Sequence, residues 1–244
     1  MNQSLVKRLV AEAVGTGFLL AAVVGSGIMG ERLAGGNVAI ALLANTLATG
    51  AALAALIVAF APISGAHFNP VVTLTDAWQK GIAWRESPLY VAAQVGGALA
   101  GVACANTMFG LPVFFASHHA RVGSAQLFSE LIATFGLLAV IRGCTRSRSS
   151  AVPFAVAAYI TAAYWFTAST SFANPAVTLA RSMSDTFAGI RLIDVPGFIG
   201  AQLLGAFAAT GLFRWLTPPL SKNADVLVVP QESGEEDGSE RTAL

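Results

Sequence analysis

Ser171-Phe172-Ala173-Asn174-Pro175-Ala176-Val177-Thr178-Leu179-Ala180-Arg181 is the stretch whose reading decides the fold. Asn followed by Pro marks a helix start: the Asn side chain accepts from the orphan amides of the first turn, and Pro there has no amide to leave unsatisfied. A short helix therefore begins at Asn174. Nearly the same wording occurs earlier in the chain, as Phe68-Asn69-Pro70-Val71-Val72-Thr73-Leu74-Thr75, with Asn, Pro, Val, Thr and Leu at matching places. Two such helix starts, one in each half of a very apolar chain, point to a pore built around paired half-helices.

The chain has 244 residues, 55% hydrophobic and 11% charged, against about 25% charged in an ordinary soluble domain. That composition predicts an integral membrane protein. A formal net charge of +1 gives no reason to expect nucleic acid as a partner. Cys104 and Cys144 lie in or beside apolar segments without metal-ligand spacing, so buried, inert thiols are expected, with no disulfide, metal site or cofactor. Lys7 and Arg8 precede a long apolar run that has no clear cleavage site, and the run reads as a retained span.

Crossing the hydrocarbon takes about 20 apolar residues as a helix. Six segments qualify, at about 9–29, 38–61, 88–108, 126–142, 151–169 and 195–216. The Asn-Pro stretches fall between spans two and three and between spans five and six. Each is followed by about ten helix-compatible residues, too few to cross, which fits a half-helix dipping into the membrane.

The halves repeat beyond these motifs. Pro88-Leu89-Tyr90-Val91-Ala92-Ala93-Gln94-Val95-Gly96-Gly97-Ala98 matches Pro196-Gly197-Phe198-Ile199-Gly200-Ala201-Gln202-Leu203-Leu204-Gly205-Ala206 at Pro, an aromatic, Ala-Gln and Gly-Ala. The run from Glu12 to Leu20 likewise echoes Glu130 to Leu138. The expected fold is an all-α membrane protein: six spans and two re-entrant half-helices in a 3+3 repeat. An odd number of spans per unit inverts the second copy, so the half-helices enter from opposite faces. One channel domain is expected over residues 1–217, with repeats at about 8–110 and 126–216. The polar, acidic stretch 218–244 is expected to be a disordered cytoplasmic tail. Basic residues set the orientation. With the N-terminus inside, Lys7, Arg8, Lys80, Arg85, Arg142, Arg146, Arg148, Arg214 and Lys222 are cytoplasmic and only Arg32, Arg121, Arg181 and Arg191 are outside, so both termini are expected in the cytoplasm.

Ser64-Gly65-Ala66-His67-Phe68-Asn69-Pro70-Val71, Asn174-Pro175-Ala176, the membrane glutamates Glu12 and Glu130, and Gln94 and Gln202 together resemble the aquaporin and aquaglyceroporin (major intrinsic protein) family over residues 8–216. The resemblance implies a right-handed bundle, a homotetramer in membrane lipid and passive conduction without enzyme chemistry. It implies that Asn69 and Asn174 meet near the midplane, donating into the lumen, while both half-helix dipoles aim their positive ends there. Backbone from Gly65, Ala66, His67 and Phe68, and from Ser171, Phe172 and Ala173, would then offer carbonyls to the permeant. Glu12 and Glu130 would brace the re-entrant loops through their amides, with proton relay as the alternative role. His67 reads as a loop anchor, and His118 and His119 as loop histidines on the surface. Gly25, Gly96, Gly97 and Gly205 read as sites of close helix approach.

Carrying the family's narrowest constriction over by position gives Thr49, Ala162, Ser171 and Val177. Val177 stands where most members have arginine, and Ala162 where water-selective members have histidine. A wider, uncharged constriction is implied, admitting solutes of glycerol size. Arg181, four residues on and on the same helix face, reads as a structural ion pair or a pore-mouth charge, with a displaced filter arginine as the alternative. Val71 in place of the usual Ala adds bulk near the midplane. Asn-Pro-Val first and Asn-Pro-Ala-Val second resembles a bacterial branch associated with arsenic resistance, which implies the inner membrane. It also implies neutral solutes such as glycerol, arsenite and antimonite, with some water. The alternatives are a water or ammonia pore and a coupled secondary transporter.

Overall fold

The computed structural model describes residues 3–217, so the expected tail at 218–244 lies outside the described residues. Among the described residues, eight α-helices run in the order α1 (Leu5–Leu33), α2 (Val38–Ser64), α3 (Pro70–Trp78), α4 (Ser87–Met108), α5 (Ser124–Ser147), α6 (Val152–Phe166), α7 (Pro175–Arg181) and α8 (Val195–Leu216). Six are long and apolar enough to cross a membrane, α6 and α8 counting with their short leading 3-10 turns. The other two, α3 and α7, have 9 and 7 residues. The protein is an integral membrane protein of the expected all-α class.

Local signals explain the boundaries. Asn37 starts α2 by accepting from the amides of Ala39 and Ile40. The same helix stops at Gly65, whose φ of 88° only glycine adopts freely and whose N–H closes on Ala61. Proline occupies the first turn of α3, α4, α6, α7 and α8, where its missing amide costs nothing. Several boundaries differ from expectation, among them the end of α5, which runs on to Ser147 where the expected span ends at about residue 142. Helix α1 continues through Gly30-Glu31-Arg32, and α6 ends at Phe166 because Thr167 turns extended, at φ −112° and ψ 139°.

In the first half α1 packs on α2 and α4, in the second α5 packs on α6 and α8, and α2 meets α6 across the halves. The half-helices touch each other, and each also rests on both α4 and α8. Three crossings per half invert the second half relative to the first.

The tightest helix contacts repeat as well. A Cβ on Gly97 would lie 2.1 Å from the Ala13 carbonyl, and one on Gly205 would lie 2.3 Å from the Leu131 carbonyl, so glycine lets α4 reach α1 and α8 reach α5. Gly96 and Gly25 do not share that role: Gly96 faces open space and Gly25 makes only an ordinary contact at 3.4 Å. The thiols also differ from expectation. Cys104 lies on an outward face of α4 and is exposed, while Cys144 is half-buried.

Candidate functional site

The half-helices start as their sequences demand. Asn69 Oδ1 accepts from the Val71 amide at 3.1 Å, and Asn174 Oδ1 from Ala176 at 3.0 Å and Val177 at 3.3 Å. The Asn amide groups then reach across the repeat. Asn69 Nδ2 donates to the Ala173 carbonyl at 2.8 Å, and Asn174 Nδ2 donates to the Phe68 carbonyl at 2.8 Å. Each side-chain NH2 carries two protons, so one is committed to the opposite repeat and one is left for the lumen. Phe68 and Ala173 carbonyls are correspondingly occupied by asparagine.

The segments preceding the asparagines are held by the glutamates. Glu12 accepts from the His67 and Phe68 amides at 2.9 and 2.7 Å, and from Ser64 and Gln94. Glu130 accepts from the Phe172 and Ala173 amides, both at 2.9 Å, and from Gln202. Gln94 and Gln202 also donate to Thr73 and Thr178, tying each glutamate to its half-helix. A planar trans peptide points its carbonyl opposite its N–H. Amides drawn toward the glutamates therefore turn the carbonyls of Ala66, His67, Ser171 and Phe172 the other way, toward the space between the repeats. The geometry requires left-handed backbone at non-glycine residues: φ is 49° at Ala66, 48° at Phe68, 51° at Ser171 and 47° at Ala173. Each such residue costs about 1–3 kcal/mol, offset by the buried, charge-assisted hydrogen bonds.

Residues of both halves together line one lumen. Asn69, Asn174, Thr49, Ser171, Val177, Ala66, His67, Phe68, Phe172 and Ala173 all line it. Its apolar walls come from stripes four residues apart, Leu53 and Ile57 below Thr49 on α2, and Val156 and Ile160 on α6. Pro70, Pro175 and Ala176 are buried at the half-helix starts.

Three expected positions do not hold. Gly65 is spent closing α2 and is not in the lining. Val71 is fully buried away from the lumen, and Val72, the equivalent of Val177, lines it instead. Ala162 is exposed on the outer side of α6. Two residues from Ile160 is about 200° around a helix, so the lumen stripe continues at Tyr164, whose hydroxyl meets Thr49 Oγ1 at 3.3 Å. The four-residue spacing of Val156, Ile160 and Tyr164 carried that signal.

The lumen is also not uncharged. Arg181 lines it one turn beyond Val177, only 2% exposed. Its Nε–H is donated to the Ala188 carbonyl, and its Cζ sits 3.4 Å from the centre of the Phe172 ring. No carboxylate pairs with it among the described residues, so the expected structural ion pair is absent there. A second guanidinium was not foreseen at this end. Residues 109–123 fold back over the end of α7, with Phe115 and Ser117 amides donating to Met183 and Ser182 carbonyls at 3.1 and 2.9 Å. That loop buries Arg121, which donates to the Gly189 and Ser169 carbonyls and lies 4.8 Å from the Phe172 ring centre. Burial pushes Arg121 down to about 10, so it is charged at neutral pH. His118 and His119 are exposed in this loop, and no metal-binding cluster occurs among the described residues.

At the α3 end, His67 Nδ1 meets Thr73 Oγ1 at 3.1 Å and His67 Nε2 lies 3.6 Å from Asp76. Arg142 donates to the Thr75 carbonyl at 3.0 Å and to Gln79, which binds the last turn of α3 to α5.

A lumen shared by two inverted repeats, with paired Asn-Pro helix starts touching at its centre, defines a membrane channel. The sequence matches the Major intrinsic protein family over residues 1–152 and 145–237, and the chain belongs to that family. It is 56% identical to aquaglyceroporin AqpS of Rhizobium meliloti strain 1021 over 88% of this chain and 92% of that protein. It is 32% identical to aquaporin NIP1-3 of Oryza sativa subsp. japonica over 88% of this chain and 76% of that protein. The solved aquaglyceroporin of Plasmodium falciparum shares the fold at a TM-score of 0.66 and 21% identity, covering 86% of this chain and 94% of that one. The protein is accordingly a channel for small solutes and not an enzyme.

Proposed function

We propose that the channel passes neutral hydroxylated solutes of glycerol size, including trihydroxy metalloid acids such as arsenous acid, together with some water. The observation carrying this reading is the composition of the lumen wall beside Val177. Thr49, Ser171 and Val177 are small, uncharged side chains that widen their side of the lumen, with Tyr164 and Arg181 lining it beside them. Solute hydroxyls have acceptors in the carbonyls of Ala66, His67, Ser171 and Phe172, and donors in the free amide protons of Asn69 and Asn174. The apolar stripes on α2 and α6 face the carbon backbone of the solute. Arsenous and antimonous acids present three hydroxyls on a compact neutral core and match the same pattern. Both half-helices aim N-terminal amides at the midplane, which disfavours cations there.

The distribution of basic residues supports cytoplasmic termini, with α7 entering from outside. Residues 1–217 act as one channel domain in this reading. The apolar outward side chains, among them Phe18, Leu47, Phe128 and Trp165, support contact with lipid and with further copies in a homotetramer. Swelling of proteoliposomes tests the proposal: glycerol and arsenite enter faster than into empty vesicles. Rapid water entry with glycerol and arsenite at the empty-vesicle rate overturns it in favour of a water pore. Accumulation against a gradient overturns it in favour of a coupled transporter.

A further inference from the structure

The first half-helix carries a polar pair that the second lacks. His67 stands two residues before Asn69 and Asp76 seven after it, whereas the same places around Asn174 hold Phe172 and Arg181. Both members of the pair are buried, and His67 Nε2 lies 3.6 Å from Asp76 Oδ2. The neighbouring hydrogen bonds decide which atoms the pair offers. Gln94 Nε2 donates to Glu12 Oε2 at 2.8 Å and to Thr73 Oγ1 at 2.9 Å. Thr73 thus accepts from Gln94 and sends its own proton to His67 Nδ1, 3.1 Å away. A neutral imidazole whose Nδ1 accepts carries its hydrogen on Nε2, the nitrogen that faces Asp76. In the second repeat the matching threonine, Thr178, accepts from Gln202 at 2.8 Å and donates to the Asn174 carbonyl at 2.8 Å, since Phe172 has no ring nitrogen to serve.

The 3.6 Å separation of His67 Nε2 and Asp76 Oδ2 is too long for a direct hydrogen bond. One hydroxyl oxygen at about 2.8 Å from each atom spans it, accepting from Nε2–H and donating to Oδ2. The carboxyl is held in place for that use. The turn after α3 packs directly on it, so closely that a Cβ on Gly81 would lie 2.1 Å from Asp76 Oδ1. Arg142, which donates to the Thr75 carbonyl of the same helical turn, is its electrostatic partner. The imidazole packs on Tyr90 with ring centroids 5.5 Å apart, and it lines the lumen. The pair therefore meets the lumen wall on the α3 side, in series with the stretch beside Val177 on the α7 side.

We propose that His67 and Asp76 form a hydroxyl-binding station on the α3 side of the lumen, a site for one hydroxyl of a neutral polyol or metalloid acid. The inference rests on the solute reading above and adds a binding site to it. A hydroxyl is suited to the station because it accepts and donates at a single oxygen, which an ether or a methyl group cannot do. The solute recovers there two of the hydrogen bonds it gives up on leaving water. Water has the same chemistry and competes for the place, so the site favours glycerol only through the hold on its remaining hydroxyls by the carbonyls of Ala66 and His67.

Full-length protein in proteoliposomes tests this with glycerol and water as the two probes. Asp76→Leu removes the acceptor and is expected to lower the glycerol-to-water entry ratio about fivefold, the worth of one hydrogen bond. Asp76→Asn keeps an acceptor oxygen and restores most of that ratio. A ratio in Asp76→Leu equal to wild type, in vesicles that still take up glycerol, overturns the inference. So does a variant that loses water entry while keeping glycerol entry, which makes the station one for water. Should Asp76→Leu not fold, the wild-type protein decides. With nitrogen-15 histidine, the Nε2–H resonance of His67, identified by its loss in His67→Phe, is expected to shift as glycerol is added. A resonance that stays put up to molar glycerol overturns the inference. Wild-type vesicles that take up no glycerol would count against the solute reading, while a His67 resonance that still answered glycerol would uphold the site.

Discussion

Glu12 and Glu130 show how a single buried side chain shapes a pore wall. Each carboxylate takes two consecutive backbone amides and a glutamine, and so turns two carbonyls toward the lumen through left-handed residues that would otherwise relax. Glu130→Gln replaces a pure acceptor with a group that is half donor, leaving at least one buried amide unpaired at a cost of about 3 kcal/mol. The expected outcome is a lower unfolding temperature in detergent together with reduced glycerol flux; an unchanged unfolding temperature would contradict the bracing role. Asn174→Asp is a second test at this scale. It removes the donor to the Phe68 carbonyl and sets a carboxylate among half-helix N-termini. Glycerol flux should fall and a cation leak should appear, measured as rubidium uptake.

At the scale of elements, the close contacts of α4 on α1 and of α8 on α5 depend on one glycine each. Gly97→Ala drives a methyl group into the Ala13 carbonyl, and Gly205→Ala into that of Leu131. Overpacking of this kind costs about 1–3 kcal/mol. Gly96→Ala meets nothing within 4 Å and should leave stability unchanged or raise it, by up to about 1 kcal/mol. Equal effects of Gly96→Ala and Gly97→Ala on thermal unfolding would contradict the assigned helix contact. The repeats also solve one packing problem in two ways: Gly15 on α1 makes room for the Phe68 ring, whereas Ala173 at the matching place of the second repeat needs no such gap.

For the whole molecule, the central fact is that the halves are joined through their asparagines, each donating to a carbonyl of the other repeat. The lumen therefore belongs to neither half. Its α7 end is positive, through Arg181 and Arg121. Arg121 loses its proton only as pH rises through about 10. His119 is the titratable neighbour, and partial burial, then the charges of Arg121 and Arg181, hold it below the ordinary histidine range despite the opposing pull of Asp185. Cation exclusion in rubidium uptake is thus expected to stay level between about pH 7 and 8.5. A leak that grows across that range would contradict the assignment of charge to this end.

The linear sequence determined the membrane class, the six spans, the two half-helices and their inversion. These follow from local rules: apolar run length, Asn-Pro helix starts, and a motif that recurs with its flanking Glu and Gln. It also placed Thr49, Ser171 and Val177 near the lumen. What only the tertiary structure decided is which neighbours fill the remaining lining. A shift of two residues along α6 exchanged Ala162 for Tyr164, because a helix turns about 100° per residue and a count from a distant motif does not fix its phase. Arg121 arrives from a loop that carries no periodic signal, folded back over α7 by backbone hydrogen bonds. Arg181 became a lumen charge because the carboxylate that an ion pair requires is not there among the described residues, and Phe172 and the Ala188 carbonyl hold it in place instead.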